Sequence, residues 1–315
     1  MEKNQSMNNC LLFSGSSNLK LASRIAECLG KKLGNMDIYR FKDGEVGIKI
    51  EENVRGKDVF IIQSTCPPVN ENIMELLISL DAIRRASPRR LTAVLPYYGY
   101  ARQDRKDRPR VPITAKLVAN LLVSAGVDRV LTMDLHAPQI QGFFDIPVDH
   151  LFAAPVIVKY LQEKKMNKTV VVSPDMGGVK TARAFAKRLN GTLAIVDKRR
   201  LSPDQIETVH LIGDVKGCDA VIVDDLISTG STMIEAAQIL LEHKVSSVYA
   251  TCTHPVLSAE AVTKLDQSPI KEIVITDTIP TVNLPARFTT LTVSELLAEA
   301  IKRIHLETSV SSLFI

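Results

Sequence analysis

Val221-Ile-Val-Asp-Asp-Leu-Ile-Ser-Thr-Gly-Ser-Thr232 reads as a strand, an acidic turn and a hydroxyl-rich loop, in that order. Val221–Val223 has the continuous β-branched character of a strand buried on both faces. It ends in two adjacent carboxylates, Asp224 and Asp225. A loop of small residues follows, and Met233–His243 has the apolar period of a helix. Ser228, Thr229, Ser231 and Thr232 offer hydroxyls, and Gly230 lets a ligand approach the backbone. Exposed N–H groups where a helix begins make an anion site. The carboxylates would repel a bare phosphate, so something must lie between. Ribose hydroxyls donate to carboxylates. A sugar phosphate therefore satisfies every part, with its phosphate in the loop and its 2- and 3-hydroxyls on the aspartates. The plain alternative is a capped helix behind an acidic turn.

The same alternation extends in both directions. Strands are expected at Leu11–Ser14, Val59–Ile62, Leu91–Leu95, Val130–Met133, Val170–Ser173, Leu193–Val196, Val248–Cys252 and Ile273–Thr276. Between them lie helical patterns at Leu19–Leu33, Ile73–Ile83, Thr114–Ala125, Val156–Leu161, Val179–Leu189 and Val293–Ile304. Continuous apolar strands separated by helices imply parallel sheets covered on both faces. The 315 residues suffice for two such sheets. Prolines at 147 and 155 suggest a seam near residue 150. Val130–His136 and Val221–Ile227 both run from an apolar strand into an acidic loop, which suggests a duplication in which the second copy alone kept its phosphate loop.

Composition excludes several classes. Hydrophobic residues make up 45% and charged residues 23%, as in ordinary globular proteins. Apolar runs are short, such as Ala220–Val223, so no membrane span is expected. The polar start Met1–Asn9 has no signal-peptide core, and a cytoplasmic location is expected. A net charge of +4 is too small to argue for nucleic acid. The five cysteines are scattered and form no CxxC pair, so neither a zinc site nor a disulfide framework is indicated.

Other segments bear on chemistry. Phe41-Lys-Asp-Gly-Glu45 sets an aromatic face beside two carboxylates, which suits an adenine; it is equally good turn chemistry. Arg102 to Arg110 carries five cations and two anions, the pattern of a solvated loop or of a polyphosphate site. His136 follows a strand end, with no second histidine at metal-ligand spacing. Ser173-Pro-Asp-Met-Gly-Gly178 joins a strand to a helix, and its glycines permit close approach to a diphosphate. It is not a Walker loop, since no Gly-Lys-Ser/Thr is present. Lys198, Arg199 and Arg200 follow the strand Thr192–Val196 and could bring cations over transferring phosphates.

The Val221–Thr232 stretch resembles the signature of the phosphoribosyltransferase fold. Together with Phe41–Glu45, Tyr100-Ala-Arg-Gln-Asp-Arg-Lys106, Met133-Asp-Leu-His-Ala137, Gln139-Ile-Gln-Gly-Phe-Phe-Asp-Ile-Pro147, Ser173–Gly178 and Asp197-Lys-Arg-Arg200, it resembles the ribose-phosphate pyrophosphokinase family from Phe13 to Phe314. The resemblance implies an α/β protein of two phosphoribosyltransferase-like domains, each a mainly parallel sheet flanked by helices. The expected spans are 1–150, with ATP-binding segments, and 151–293, with the ribose-phosphate loop. Residues 294–315 are expected to form a helix and tail packing back on the first domain.

The resemblance also implies that ATP is bound by Phe41, Asp43, Gly44, Glu45, Arg102 and Gln103. Phe41 and Arg102 would sandwich the adenine, and Asp43 and Glu45 would reach a neighbouring subunit's ATP site. Arg200, Asp224, Asp225, Ser228, Thr229, Gly230, Ser231 and Thr232 would hold ribose 5-phosphate. Mg²⁺ would be held with the help of His136 and Asp175, and Lys198 and Arg200 would be the catalytic cations. A homohexamer is implied, activated by phosphate and inhibited by ADP at a second site. Asn53, Arg55, Ser309 and Ser311 resemble that site. The expected reaction moves the β,γ-diphosphoryl group of ATP to the C1 hydroxyl of ribose 5-phosphate. The rivals are a phosphoribosyltransferase, which would not need Phe41–Glu45, and a catalytically silent regulatory homologue.

Overall fold

The sheet positions follow from which strands carry unbroken β-branched runs and which carry polar residues. A computed structural model describes residues 7–199, 208–258 and 260–313. The chain divides into two compact units, one of Met1–Phe152, Thr278–Pro280 and Thr292–Ile315, the other of Ala153–Asp277 and Thr281–Leu291.

In the first unit the order is β1 (Cys10–Ser14), α1 (Leu19–Cys28), β2 (Met36–Arg40), β3 (Val46–Ile50), β4 (Asp58–Ile62), α2 (Val69–Arg85), β5 (Arg90–Leu95), α3 (Thr114–Ser124), β6 (Arg129–Met133) and β7 (Val148–Leu151). Five parallel strands form a sheet in the order β1-β4-β5-β6-β7, and β2 and β3 make a separate antiparallel hairpin. Val59 and Ile61 of β4 pack with Leu76, Leu80 and Ile83 of α2 and with Val118 and Leu122 of α3 in one core. Helix α1 stops earlier than its apolar pattern, which continues to Leu33. Gly30 N–H bonds Glu27 O and Lys31 N–H bonds Ala26 O, the paired closure that ends a helix on a left-handed glycine.

The second unit contains α4 (Ala154–Gln162), β8 (Thr169–Ser173), α5 (Val179–Arg188), β9 (Thr192–Arg199), β10 (Thr208–Ile212), β11 (Asp219–Ile227), α6 (Ser231–Glu242), β12 (Ser247–Pro255), α7 (Ala261–Asp266), β13 (Glu272–Thr276) and β14 (Phe288–Leu291). Its seven strands run β10-β9-β8-β11-β12-β13-β14, parallel throughout except for the antiparallel pair β9–β10. Val170, Val172, Ala220 and Ile222 meet Met233, Ala236 and Leu240 of α6 in its core. Both units thus have the expected α/β architecture.

The topology revises the internal duplication. The order β1-β4-β5-β6-β7 in the first sheet matches β8-β11-β12-β13-β14 in the second, with the same steps along the chain, so β4 is the counterpart of β11. The partner of the Asp224–Asp225 strand is therefore β4, not the strand at Val130. After β4 the chain places Gln63 and Ser64. Gln63 Oε1 accepts from Ser17 Oγ at 2.7 Å and from Ser17 N–H at 3.2 Å. Gln63 Nε2 donates to Glu75 Oε1 at 2.8 Å, and Glu75 also accepts from Ser16 N–H and Ser16 Oγ at 2.7 Å each. A Cβ on Gly15 would lie 2.3 Å from Gln63 Oε1. The two loops here are thus bonded to one another through a buried carboxylate.

Helix α8 (Ser294–His305) follows the second unit in sequence but belongs to the first. Asp58 joins it to the sheet: Arg90 Nε donates to Asp58 Oδ1 at 2.9 Å, His305 Nδ1 lies 2.7 Å from Asp58 Oδ2, and Arg90 Nη2 donates to Ile304 O at 2.8 Å. The Asp58 side chain is only 4% exposed. Removing one member of a buried charged pair strands the other, at a cost of about 3 kcal/mol or more. Asp58→Ala is expected to lower the unfolding free energy of the first unit by that amount, measured by urea titration.

Candidate active site

Strand β11 runs further than its apolar core, through both carboxylates to Ile227. Beyond Ile222 it has lost β8 and is paired with β12 alone, Asp224 opposite Cys252 and Leu226 opposite His254. One edge of the acidic turn is therefore open. The loop Ser173–Gly178 approaches that edge: a Cβ on Gly178 would stand 3.9 Å from Val223 O. Asp175, exposed at this loop, accepts from Gly178 N–H at 3.0 Å.

Past the aspartates, Gly230 has φ +78 and turns the chain into α6, which starts at Ser231, two residues before Met233. A Cβ there would meet Leu265 Cγ at 2.9 Å, so both dihedral and packing require glycine. Thr229, Ser231 and Thr232 are exposed around this turn, and Ser228 is half-buried. Thr229 Oγ1 donates to Ser231 Oγ at 3.3 Å and accepts from Ser231 N–H at 3.4 Å. Hydroxyls and the first N–H groups of α6 thus lie together at this turn.

Asp224 is held well above the usual carboxylate range. Burial is the main cause, followed by the charge of Asp225 and the hydrogen bond between the two side chains; the bond from Asp225 N–H to Asp224 Oδ1, 2.9 Å, works the other way, and the charge of Asp175 adds the smallest push upward. A carboxyl whose folded value is raised binds a proton that the unfolded chain has already lost. Its stabilising contribution is present at low pH and disappears as pH rises through the raised value. Asp224→Asn is therefore expected to melt a few degrees above the parent protein at pH 8. The difference should close toward pH 5, as followed by calorimetry across that range.

Strand β9 extends through Lys198 and Arg199, opposite Val209 and Thr208 of β10. The apolar pattern ends the strand at Val196 and puts these cations on a loop; pairing with β10 lengthens it. The side chain of Lys198, and Arg200 entirely, lie outside the described residues.

In the first unit, Phe41–Glu45 is the tip of the β2–β3 hairpin. Phe41 N–H bonds Glu45 O at 2.9 Å and Gly44, at φ +95, bonds back to Phe41 O at 3.0 Å. The Phe41 ring is 51% exposed and meets the Tyr39 ring edge-on at 5.2 Å. Asp43 Oδ1 accepts from Glu45 N–H at 3.2 Å. The segment is thus both a turn and an exposed aromatic-acidic surface.

Arg102 and Gln103 follow β5. The chain reaches them through Tyr100, a non-glycine residue at φ +63. Strain of this kind persists only where the surroundings enforce it. Here Gln103 N–H bonds Tyr100 O at 2.9 Å, Ala115 N–H bonds Gln103 O at 3.1 Å, and Thr114 Oγ1 donates to Gln103 Oε1 at 2.5 Å. Tyr98 OH, buried, donates to Ala115 O at 2.8 Å. In the sequence Thr114 marks only a helix start. Nothing local signals its bond to a residue 11 positions away across a loop without periodicity. His136 is exposed beyond β6, two residues after Asp134 at φ +38.

Asn53 Oδ1 accepts from Arg55 N–H at 3.0 Å, and Ser309 Oγ accepts from Ser311 N–H at 3.2 Å. Each pair makes its own turn, and no hydrogen bond among the described residues joins the two. Cys10, Cys66 and Cys252 are buried thiols, Cys218 is half-buried and Cys28 is exposed. Among the described residues no helix is long and apolar enough to cross a membrane.

An open acidic strand end beside a hydroxyl-rich helix start, on an α/β fold, has the donors and acceptors that suit a sugar phosphate. A sequence model of the N-terminal domain of ribose phosphate pyrophosphokinase matches residues 10–126, and one of the phosphoribosyl synthetase-associated domain matches 199–315. A ribose-phosphate pyrophosphokinase of Caldanaerobacter subterraneus subsp. tengcongensis is 55% identical over 98% of both chains, and one of Bacillus subtilis is 53% identical over 97% of both. The crystal structure of phosphoribosylpyrophosphate synthetase from Mycobacterium smegmatis superposes with a TM-score of 0.89 at 40% identity, covering 94% of this chain and 99% of that one. The chain belongs to the ribose-phosphate pyrophosphokinase family.

Proposed function

We infer that this chain is the enzyme that transfers the β,γ-diphosphoryl group of ATP to the C1 hydroxyl of ribose 5-phosphate, giving 5-phosphoribosyl 1-diphosphate and AMP, a step of nucleotide biosynthesis. The observation that carries this reading is likeness to pyrophosphokinases of that name over almost the whole of both chains. Thr229–Thr232 takes the 5-phosphate at the start of α6. Asp224 and Asp225 accept from the ribose hydroxyls and orient C1. Phe41 and Arg102 enclose the adenine, Asp43, Gly44 and Glu45 line its edge, and Gln103 bonds the nucleotide. Lys198 and Arg200 neutralise charge on the transferring phosphates. Phosphoryl-type transfer rests on such positioning and charge neutralisation.

Mg²⁺ suits this donor set. The charges of Asp225 and Asp175 are both near enough to Asp224 to raise its proton affinity, and hard oxygen donors are what this ion takes. Among the described residues no group of three or more His, Cys, Asp or Glu could hold a metal ion by itself; Asp175 and His136 would help hold an ion whose other ligands are substrate oxygens and water. When bound, Mg²⁺ supplies charge compensation for the phosphates.

AMP release from ATP that depends on ribose 5-phosphate, followed by chromatography, tests the reading; release without the sugar, or none with it, overturns it.

The protein works in the cytoplasm as a homohexamer, with the exposed hairpin tip reaching a neighbour's nucleotide. Phosphate activates it at a second site built from Asn53, Arg55, Ser309 and Ser311, and ADP inhibition there is weakened, since Asn53 and Pro138 stand where relatives often carry serine and Pro138 offers neither hydroxyl nor N–H. Arg55→Ala is expected to need about tenfold more phosphate for half-activation, as losing one charge-assisted bond implies. Titrating phosphate against initial rate checks it.

A further inference from the structure

We propose that Thr114 is a positioning residue for ATP, acting through Gln103. The inference rests on the reading that Gln103 contacts the nucleotide. A glutamine amide has an accepting and a donating end, and free in solvent it can offer either. Here the side chain is held beforehand: Thr114 Oγ1 donates to Gln103 Oε1 at 2.5 Å, which ties the amide to the start of α3 and leaves both N–H donors of Nε2 and the second lone pair of Oε1 for a ligand. The backbone reinforces this, since Ala115 N–H bonds Gln103 O and Gln103 N–H bonds Tyr100 O. Ala115 is in turn held by the buried Tyr98 hydroxyl. Gln103 is exposed, so without Thr114 its side chain would sample several rotamers. Fixing them in advance lowers the ordering cost of binding. The site thus presents pre-placed N–H donors to an acceptor of ATP, a phosphate oxygen or a ring nitrogen.

The test is steady-state kinetics of the full chain with Mg²⁺, comparing Thr114→Ala, Thr114→Ser, Gln103→Ala and the double variant. Thr114→Ala should raise KM for ATP about fivefold, as for one neutral hydrogen bond. Its kcat, its KM for ribose 5-phosphate and its melting temperature should stay at parental values. Thr114→Ser keeps the hydroxyl and should restore the ATP KM. In the double variant, KM for ATP should equal that of Gln103→Ala, because Thr114 then has nothing to orient. Unchanged KM for ATP in Thr114→Ala would overturn the proposal. So would equal rises in both substrates' KM, or fully additive effects in the double variant. A parent protein that forms no 5-phosphoribosyl 1-diphosphate would overturn the functional reading instead.

Discussion

Asp224→Ala and Asp225→Ala are each expected to lower turnover about a thousandfold while the protein stays folded. Each carboxylate is assigned hydrogen bonds from the ribose hydroxyls, and a bond to a charged group contributes roughly 1.5–3 kcal/mol. Removing two such bonds at once costs about 4 kcal/mol, roughly three factors of ten in rate. The fold should not suffer. Asp224 is crowded by burial and by Asp225, so its removal relieves an unfavourable charge in the free protein. Activity and stability should therefore move in opposite directions at this residue, the signature of a site kept for function rather than for folding. Coupled AMP assays beside thermal melts check both, and full activity in Asp224→Ala would sink the ribose assignment.

Lys198→Ala is expected to reduce turnover about a hundredfold with little change in KM for ATP or in melting temperature. A cation aimed at charge that develops during transfer stabilises the transition state more than the bound substrate. Loss confined to kcat is the kinetic mark of such an interaction. Because Lys198 lies on β9 where it pairs with β10, the backbone that carries it is fixed by strand hydrogen bonds whatever its side chain does. An equal fall in ATP affinity and turnover would make Lys198 a ground-state binder.

The sheets were legible wherever a strand is buried on both faces, because burial there demands unbroken runs such as Val170–Val172 and Ala220–Val223. The missed strands each break that rule for a physical reason. β7 is Val-Asp-His-Leu, and its buried polar residues are satisfied by tertiary partners: Asp149 pairs with Arg129 at 2.6 Å, and His150 Nε2 accepts from Leu135 N–H at 2.8 Å. β10 and β14 are edge strands, where one side needs no apolar cover. The hydroxyl loop and acidic pair were legible because their chemistry is local to one βα turn. The bond from Thr114 to Gln103 and the closure of Gln63, Glu75 and Ser16 were not, since each joins residues that only the fold brings together. Sequence likeness alone paired the wrong strands of the duplication; neighbours in the sheet identified the right ones.

The first unit is assembled from pieces at both ends of the chain, and this has a bearing on how the protein is made. Domains usually fold in the order in which they leave the ribosome. Here α1 packs on α8, and Asp58 and Arg90 find His305 and Ile304 only when the last turn of α8 has been synthesised. The second unit's strands are all translated before α8 begins. The half that starts first is thus completed last, and during synthesis it waits with Asp58 and Arg90 lacking their α8 partners and the surface for α8 uncovered. A nascent chain stalled before residue 294 would hold a finished second unit and an unfinished first one, the reverse of the usual order of maturation.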